Sequence, residues 1–392
     1  MRAWLLPEYI EDILPVEARR IERLRRLMLD VFATHGYELV MPPLLEYLES
    51  LLTGTGHDLD LQTFKLVDQL SGRTLGVRAD ITPQVARIDA HLLDRRGVTR
   101  LCYSGSVLRT LPDGMNRTRE PLQIGAEIYG HAGIESDIEI QRLMLSALEL
   151  AKIGNVFLDV GHVGIFRSLM GQGRVERGLE ADLFRAVQSK DLPGIRGLAK
   201  SLPRPVKLAL EALPELYGGV DVLTRGRKVL PATAEITQAL RDLRSLSTGV
   251  GEDARIRCFD LGELRGYHYH SGIVFAAYSE SRPNALAQGG RYDEVGKAFG
   301  RARPATGFSM DLRELAALGE GGVSEQGVLA PYRPNDERLQ KKIADLRRAG
   351  AVVIVDLPGH ADARDELKCD RRLVQQKGRW SVEMRQRKAG KR

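Results

Sequence analysis

The chain is short of cysteine and of aromatic residues, with three cysteines in 392 residues and 6% Phe, Trp and Tyr. Cys102, Cys258 and Cys369 stand more than a hundred positions apart, which excludes a C-x-x-C pair and a sequence-local zinc site. A reducing, cytoplasmic setting is expected. Also lacking is a charged-then-apolar leader, because Pro7 and Glu8 follow Met1–Leu6 at once. No run approaches the roughly 18 apolar residues of a membrane span, so no membrane association is expected. A strong excess of one charge is missing too: 58 Lys+Arg face 52 Asp+Glu, and five of the bases fall in residues 385–392, which hold no acid. Taking those five from the net +6 leaves a body of +1, without the basic footprint of a large phosphate-binding surface. Nucleic acid is therefore not an expected partner, and the tail reads as a solvated end.

What remains is ordinary globular composition, 43% hydrophobic, at a length that predicts two or three domains. Residues 17–33 place Ile21, Leu24, Leu27, Met28 and Val31 at helical spacing, closed by His35-Gly36. Residues 37–41 predict a strand stopped by Pro42-Pro43, and a second helix is expected from Leu44. Strands at 101–103 and 123–129, separated by polar residues 110–120, predict an antiparallel hairpin with a long connection. A helix at 135–152 and a strand at 156–160 follow. Residues 167–250 read as a helical insertion, broken by Pro193-Gly194, Pro203, Pro205 and Gly218-Gly219. Strands return at 256–261 and 272–278, ahead of glycine-rich Gln288–Arg291 and a helix from Asp311. Glycines 319, 321, 322 and 327 mark a linker between a domain of residues 1–320 and a small α/β module at 328–392. That module is expected to hold strands at 328–330, 351–355 and 380–384 and a helix near 335–349.

Three motifs carry little. Gly171-Gln172-Gly173 with Gly178 lacks a preceding strand and the spacing of a dinucleotide loop. Residues 352–356 end in Asp356, but Leu357-Pro358 replaces the second acid of a phosphoribosyl-pyrophosphate loop, so a buried strand is expected. His131 and His162 stand alone beside glycine and read as loop or core residues.

The informative constellation is Arg78-x-Asp80-x-Thr82-Pro83, Arg109, Gln123-x-x-x-Glu127, and Arg265 to His270. Gln123 and Glu127 are four apart, so on a strand both face one way. Gln offers donor and acceptor, and a carboxylate can hold an ammonium or an imidazole N–H, which suits a small amino-acid ligand. On spacing alone an exposed polar sheet face is the simpler account.

In this order the segments resemble the core of class II aminoacyl-tRNA synthetases, and specifically the histidyl-tRNA synthetase family, over residues 6–318. Residues 32–46, FATHGYELVMPPLLE, resemble the first class II motif, which forms dimers. Arg109 with residues 122–130, LQIGAEIYG, resembles the second, and residues 304–315, PATGFSMDLREL, the third. Residues 265–275 resemble the family's histidine-binding segment, and GGRYD at 289–293 its glycine-rich partner. The resemblance implies an α+β fold, an antiparallel sheet with flanking helices. It also implies a histidine pocket. By position, Asp80, shorter than the family's Glu, and Thr82 would hold the α-amino group. Gln123, Glu127, Tyr269 and Tyr292 would surround the ligand, with Arg265 near its carboxylate and Arg109 as the second-motif arginine.

The nucleotide half of the family site is not kept. Leu111 and Pro112 stand where the family has Glu and Arg, and Glu314 where it has a phosphate-facing arginine. His268 and His270 replace an Asp and a Tyr of the histidine segment. These departures, with a C-terminal module shorter than an anticodon-binding domain, resemble the ATP phosphoribosyltransferase regulatory subunits, paralogues of the synthetases. That resemblance implies a chain without chemistry or cofactor of its own, and a homodimer inside a larger hetero-oligomer. Its partner would be a short-form catalytic subunit that condenses ATP with phosphoribosyl pyrophosphate in the first step of histidine biosynthesis, with histidine as feedback effector. The alternatives are an active histidine–tRNA ligase, against which Leu111, Pro112 and Glu314 speak, and a stand-alone amino-acid sensor.

Overall fold

In the computed structural model, which describes residues 4–54, 57–114, 117–250, 256–319, 327–359 and 365–385, the chain divides into two units, Met1–Glu320 and Gly321–Arg392. The first helix, Pro15–Thr34, buries Ile21, Leu24 and Met28 of the expected stripe and adds Phe32, while Leu27 is exposed and Val31 half-buried. Each such side chain contributes roughly 1.5–3 kcal/mol on leaving water. Beneath it lies a nine-stranded sheet in the order Glu38–Leu39, Thr99–Ser106, Leu122–Tyr129, Ala305–Asp311, Arg282–Arg291, Ile273–Ser279, Val156–His162, Ile256–Asp260, Tyr217–Gly218. The pairs are antiparallel except Glu38–Leu39 on Thr99–Ser106 and Val156–His162 on Ile256–Asp260, which are parallel.

Alternation along these strands gives the sheet two unlike faces. Ile124, Ala126, Ile128, Phe308 and Met310 join the main apolar core together with residues of Pro15–Thr34 and Ile134–Leu150. Gln123, Gly125 and Glu127 point the other way and face the site. The hairpin of Thr99–Ser106 and Leu122–Tyr129 forms as expected, pairing Leu101 with Glu127. The helical stretch from Val163–Gly173 to Ala234–Gly249 shares that core through Leu183, Ile195, Leu210 and Leu243, and its short strand Tyr217–Gly218 closes one edge of the sheet.

Several expectations need correction. Leu45–Tyr47 is a strand rather than the start of a helix, held in a three-stranded sheet with Thr74–Val77 and Phe64–Val67; the helix begins at Leu48. Thr82–Arg87, continued by a π-helical turn Ile88–Leu93, is a helix for which the sequence reading gave no element. Glycine-rich Gln288–Arg291 lies inside a ten-residue strand.

In the second unit a four-stranded sheet runs Val353–Asp356, Gly327–Pro331, Cys369–Gln376, Arg379–Met384. Helix Glu337–Arg348 packs Leu339 and Ile343 with Val328, Val353, Leu373 and Trp380 in a separate core. Asp336 caps it, accepting from Leu339 N at 2.9 Å and from Trp380 Nε1 at 3.2 Å. Gly327 begins a strand rather than ending a linker, and strand Cys369–Gln376 was not foreseen. Gly321, Gly322 and the tail from 386 lie outside the described residues.

Candidate functional site

The face of the sheet opposite the core is a trough because its central positions carry almost no side chain. Gly307 pairs with both Glu127 and Gly290, and Val274 pairs with Gly290. A Cβ at Gly307 would fall onto Oε2 of Glu127, and one at Gly125 onto the Tyr103 hydroxyl. Small residues here are a condition for holding a carboxylate below the rim. Gly307→Ala should therefore cost roughly 1–3 kcal/mol of stability, read as a lower denaturation midpoint, and displace Glu127.

Over this trough lies a cavity of about 330 Å³. The structure brings all eight residues singled out in the sequence to its walls: Asp80, Thr82, Arg109, Gln123, Glu127, Arg265, Tyr269 and Tyr292. At one end Gln123 is fixed as a bridge. Its Nε2 donates to Asp80 Oδ1 at 2.8 Å and its Oε1 accepts from Ile81 N at 2.9 Å. Asp80 Oδ1 also accepts from Thr82 N at 3.0 Å, which anchors the carboxylate at the start of helix Thr82–Arg87.

Glu127, 1% exposed, sits at the centre of a hydroxyl relay. Tyr103 OH donates to Oε1 at 3.1 Å and stands 3.0 Å from Thr82 Oγ1, while Tyr292 OH donates to Oε2. Between Thr82 and Tyr103 either hydroxyl can donate, and Tyr292 OH also reaches Tyr129 OH, 3.3 Å away. Burial, with the charge of Asp80 behind it, pushes the Glu127 carboxyl up to about 8 against the pull of these hydrogen bonds. Burial likewise holds all three tyrosines well above their ordinary range, so they remain donors. The sequence reading missed Tyr103 and Tyr129; strand parity was the available signal, since Tyr103 pairs with Gly125 between Gln123 and Glu127.

Tyr292 is held in place from behind. Arg291 donates to Asp137 Oδ2 at 3.1 Å, to the carbonyls of His131 and Gly133 at 3.2 and 3.0 Å, and to Ser136 Oγ at 2.9 Å. Tyr269 leans on Tyr292 with ring centroids 5.1 Å apart, and its hydroxyl is buried without a protein partner. His270 also lines the cavity, its ring over Gly290, and burial lowers its imidazole to about 4, so it is neutral. His268 is exposed instead, packed on Phe184 and Tyr267. His162, expected as a loop or core residue, caps helix Val163–Gly173 by accepting from Gly164 N at 3.1 Å.

The two arginines occupy the far end. Arg265 Nη2 donates to Tyr278 OH at 2.9 Å and lies 3.4 Å from Glu263 Oε2. Arg109 reaches Ala79 O at 3.3 Å and Asp113 Oδ2 at 3.1 Å. Beyond Arg109 a second cavity of about 50 Å³ has an ion pair in its lining, Arg117 Nη2 to Glu314 Oε2 at 2.9 Å. Glu314 is thus a paired carboxylate rather than the bare one its position suggests. Leu111 lines neither cavity and is 72% exposed. Among the described residues no cluster of metal-ligating side chains occurs, and no helix is long and apolar enough to cross a membrane.

Comparison with known proteins gives the family. Residues 9–315 match the family described as histidyl-tRNA synthetase, and residues 325–383 match the ATP phosphoribosyltransferase subunit HisZ C-terminal domain. The chain is 59% identical over 382 residues to an ATP phosphoribosyltransferase regulatory subunit of Ralstonia pickettii, covering 97% of this chain and 98% of that one. It is 60% identical over 380 residues to that of Cupriavidus necator, with the same coverage. Among solved structures, an ATP phosphoribosyltransferase regulatory subunit/histidyl-tRNA synthetase of Bacillus halodurans superposes with a TM-score of 0.81 at 29% identity, over 93% of this chain and 96% of that one. The histidyl-tRNA synthetase of Nostoc gives 0.75 at 18% identity, over 95% and 91%, which shows the fold alone. The chain belongs to the histidyl-tRNA synthetase family and, within it, to the ATP phosphoribosyltransferase regulatory subunits.

Proposed function

We propose that this chain regulates ATP phosphoribosyltransferase by holding free histidine in the cavity of Glu127 and passing its occupancy to a short-form catalytic subunit. The observation that carries the reading is the contrast between the two cavities. The larger one offers an ammonium the carboxylate of Asp80 and offers an imidazole N–H the carboxyl of Glu127. The smaller one, where a synthetase would seat a nucleotide, is lined by the Arg117–Glu314 pair. A ligand can therefore bind without being activated.

In this reading Asp80, Thr82 and Gln123 orient the amino group, Glu127 and Tyr292 the imidazole, and Arg265 and Arg109 the carboxylate. Tyr269 closes the ring side of the pocket. Two copies associate through the surface around Pro42-Pro43, and the complex works in the cytoplasm. Reconstitution tests it: the chain is mixed with the catalytic subunit and phosphoribosyl-ATP formation is followed with and without histidine. The expected result is activity that depends on the added chain and falls with histidine. Equal activity without the chain would refute the regulatory role.

A further inference from the structure

The cavity wall at residues 265–270 belongs to no helix or strand, so its shape depends on what grips it from outside. Arg265, Gly266, Tyr269 and His270 line the cavity. Within the wall Tyr269 N and His270 N both donate to Gly266 O, at 2.8 and 2.7 Å, a tight turn that Gly266 permits with a φ of +62°. The His270 ring then lies in a slot between two glycines: a Cβ at Gly266 would strike its Nδ1, and one at Gly290 its Cδ2. With so little slack, the ring is placed only if the turn itself is placed.

The outward residue of the turn is Tyr267, 4% exposed and packed into the helical insertion. Its ring meets Phe166 of helix Val163–Gly173 and Phe184 of helix Arg177–Gln188, with centroids 5.3 and 5.6 Å away, and its hydroxyl donates to Glu180 Oε1 at 2.6 Å.

Arg167, on helix Val163–Gly173, completes the grip. Its Nη2 donates to His270 O at 2.9 Å and to Tyr267 O at 3.1 Å, and its guanidinium lies over the Tyr267 ring, 5.2 Å from the centroid. The side chain is exposed and, among the described residues, pairs with no carboxylate, so its hydrogen bonds go to the turn. Its helix is a rigid reference: Ile165, Phe166 and Leu169 are buried in the main core, and Val163 N donates to Gly272 O at 3.0 Å. Arg167 does not line the cavity, and any influence on a ligand passes through Tyr269 and His270.

We infer that Arg167 is a positioning residue of the histidine pocket, fixing the turn at 267–270 so that Tyr269 and His270 stand against the ligand. The inference rests on the histidine-binding reading. Arg167→Met and Arg167→Lys in the full chain test it by calorimetric titration of histidine. The methionine variant should bind roughly 10-fold more weakly, the loss of about one charged hydrogen bond passed on to the ligand. The lysine variant should stay within roughly threefold of wild type, because an ammonium can donate to the same carbonyls. The ring-proton resonance of His270 in the ligand-free chain, assigned through His270→Asn, should move towards that of an exposed histidine in Arg167→Met and stay in place in Arg167→Lys. Wild-type affinity in Arg167→Met overturns the inference. So does equal weakening in both variants with the His270 resonance unmoved, which would leave Arg167 a brace for stability alone. A wild-type chain that binds no histidine refutes the histidine-binding reading first, and the inference with it.

Discussion

Glu127→Gln is expected to weaken histidine binding roughly 10- to 150-fold, since removing one partner of a charged hydrogen bond costs about 1.5–3 kcal/mol. Feedback inhibition of the assembled enzyme should move to higher histidine by the same factor, with activity at zero histidine intact. The pH dependence has a definite sign. In the empty pocket the carboxyl keeps its proton up to about 8, whereas a ligand N–H calls for the carboxylate, so binding releases a proton. Wild-type affinity should therefore rise from pH 6 towards 8, and the variant should lack that slope. The fold responds oppositely. A carboxyl raised from 4.5 to about 8 contributes stability that is full below 4.5 and lost progressively up to about 8. Glu127→Gln should accordingly melt higher than wild type at pH 8 and about equally at pH 4. Calorimetric titration and thermal melts across this range check both. Unchanged histidine inhibition in the assembled variant would place the effector elsewhere.

The second large effect is an absence. Histidine-dependent pyrophosphate exchange should run at least roughly a thousandfold below an authentic synthetase, because about 4 kcal/mol of phosphate attraction is missing where an arginine would stand. A single Glu314→Ala substitution should not restore it, since Leu111 and Pro112 still offer adenine and triphosphate neither donor nor charge. Exchange at a synthetase-like rate would sink the regulatory reading.

Much of this was legible in the sequence because strand parity and helical spacing are local. The first helix and the Leu122–Tyr129 hairpin follow from such patterns, and Gln123 and Glu127 share a face for the same reason. What escaped depends on neighbours distant in sequence. Leu45–Tyr47 pairs with Thr74–Val77, which overrides the helical pattern after Leu44. The strand Arg282–Arg291 hides behind glycines that weaken a strand taken alone and are required where Phe275 and His270 pack against their backbone. Tyr103 and Tyr129 show no motif, and only the fold makes them partners of Glu127. The pairing of Glu314 is invisible in the sequence because its partner Arg117 is 197 positions away.

That pairing constrains the history of the chain. Once Arg117 and Glu314 face each other across 2.9 Å, regaining the synthetase residue at the second position sets two guanidinium groups side by side. At about 4 Å and an effective dielectric of 20, such a pair repels by roughly 4 kcal/mol, a large share of the net stability of a typical domain. Glu314→Arg is then harmful unless Arg117 has already changed, and Arg117 changing first leaves a half-buried carboxylate unpaired. Either order passes through a damaged intermediate. The pair therefore opposes a single-step return of arginine at position 314.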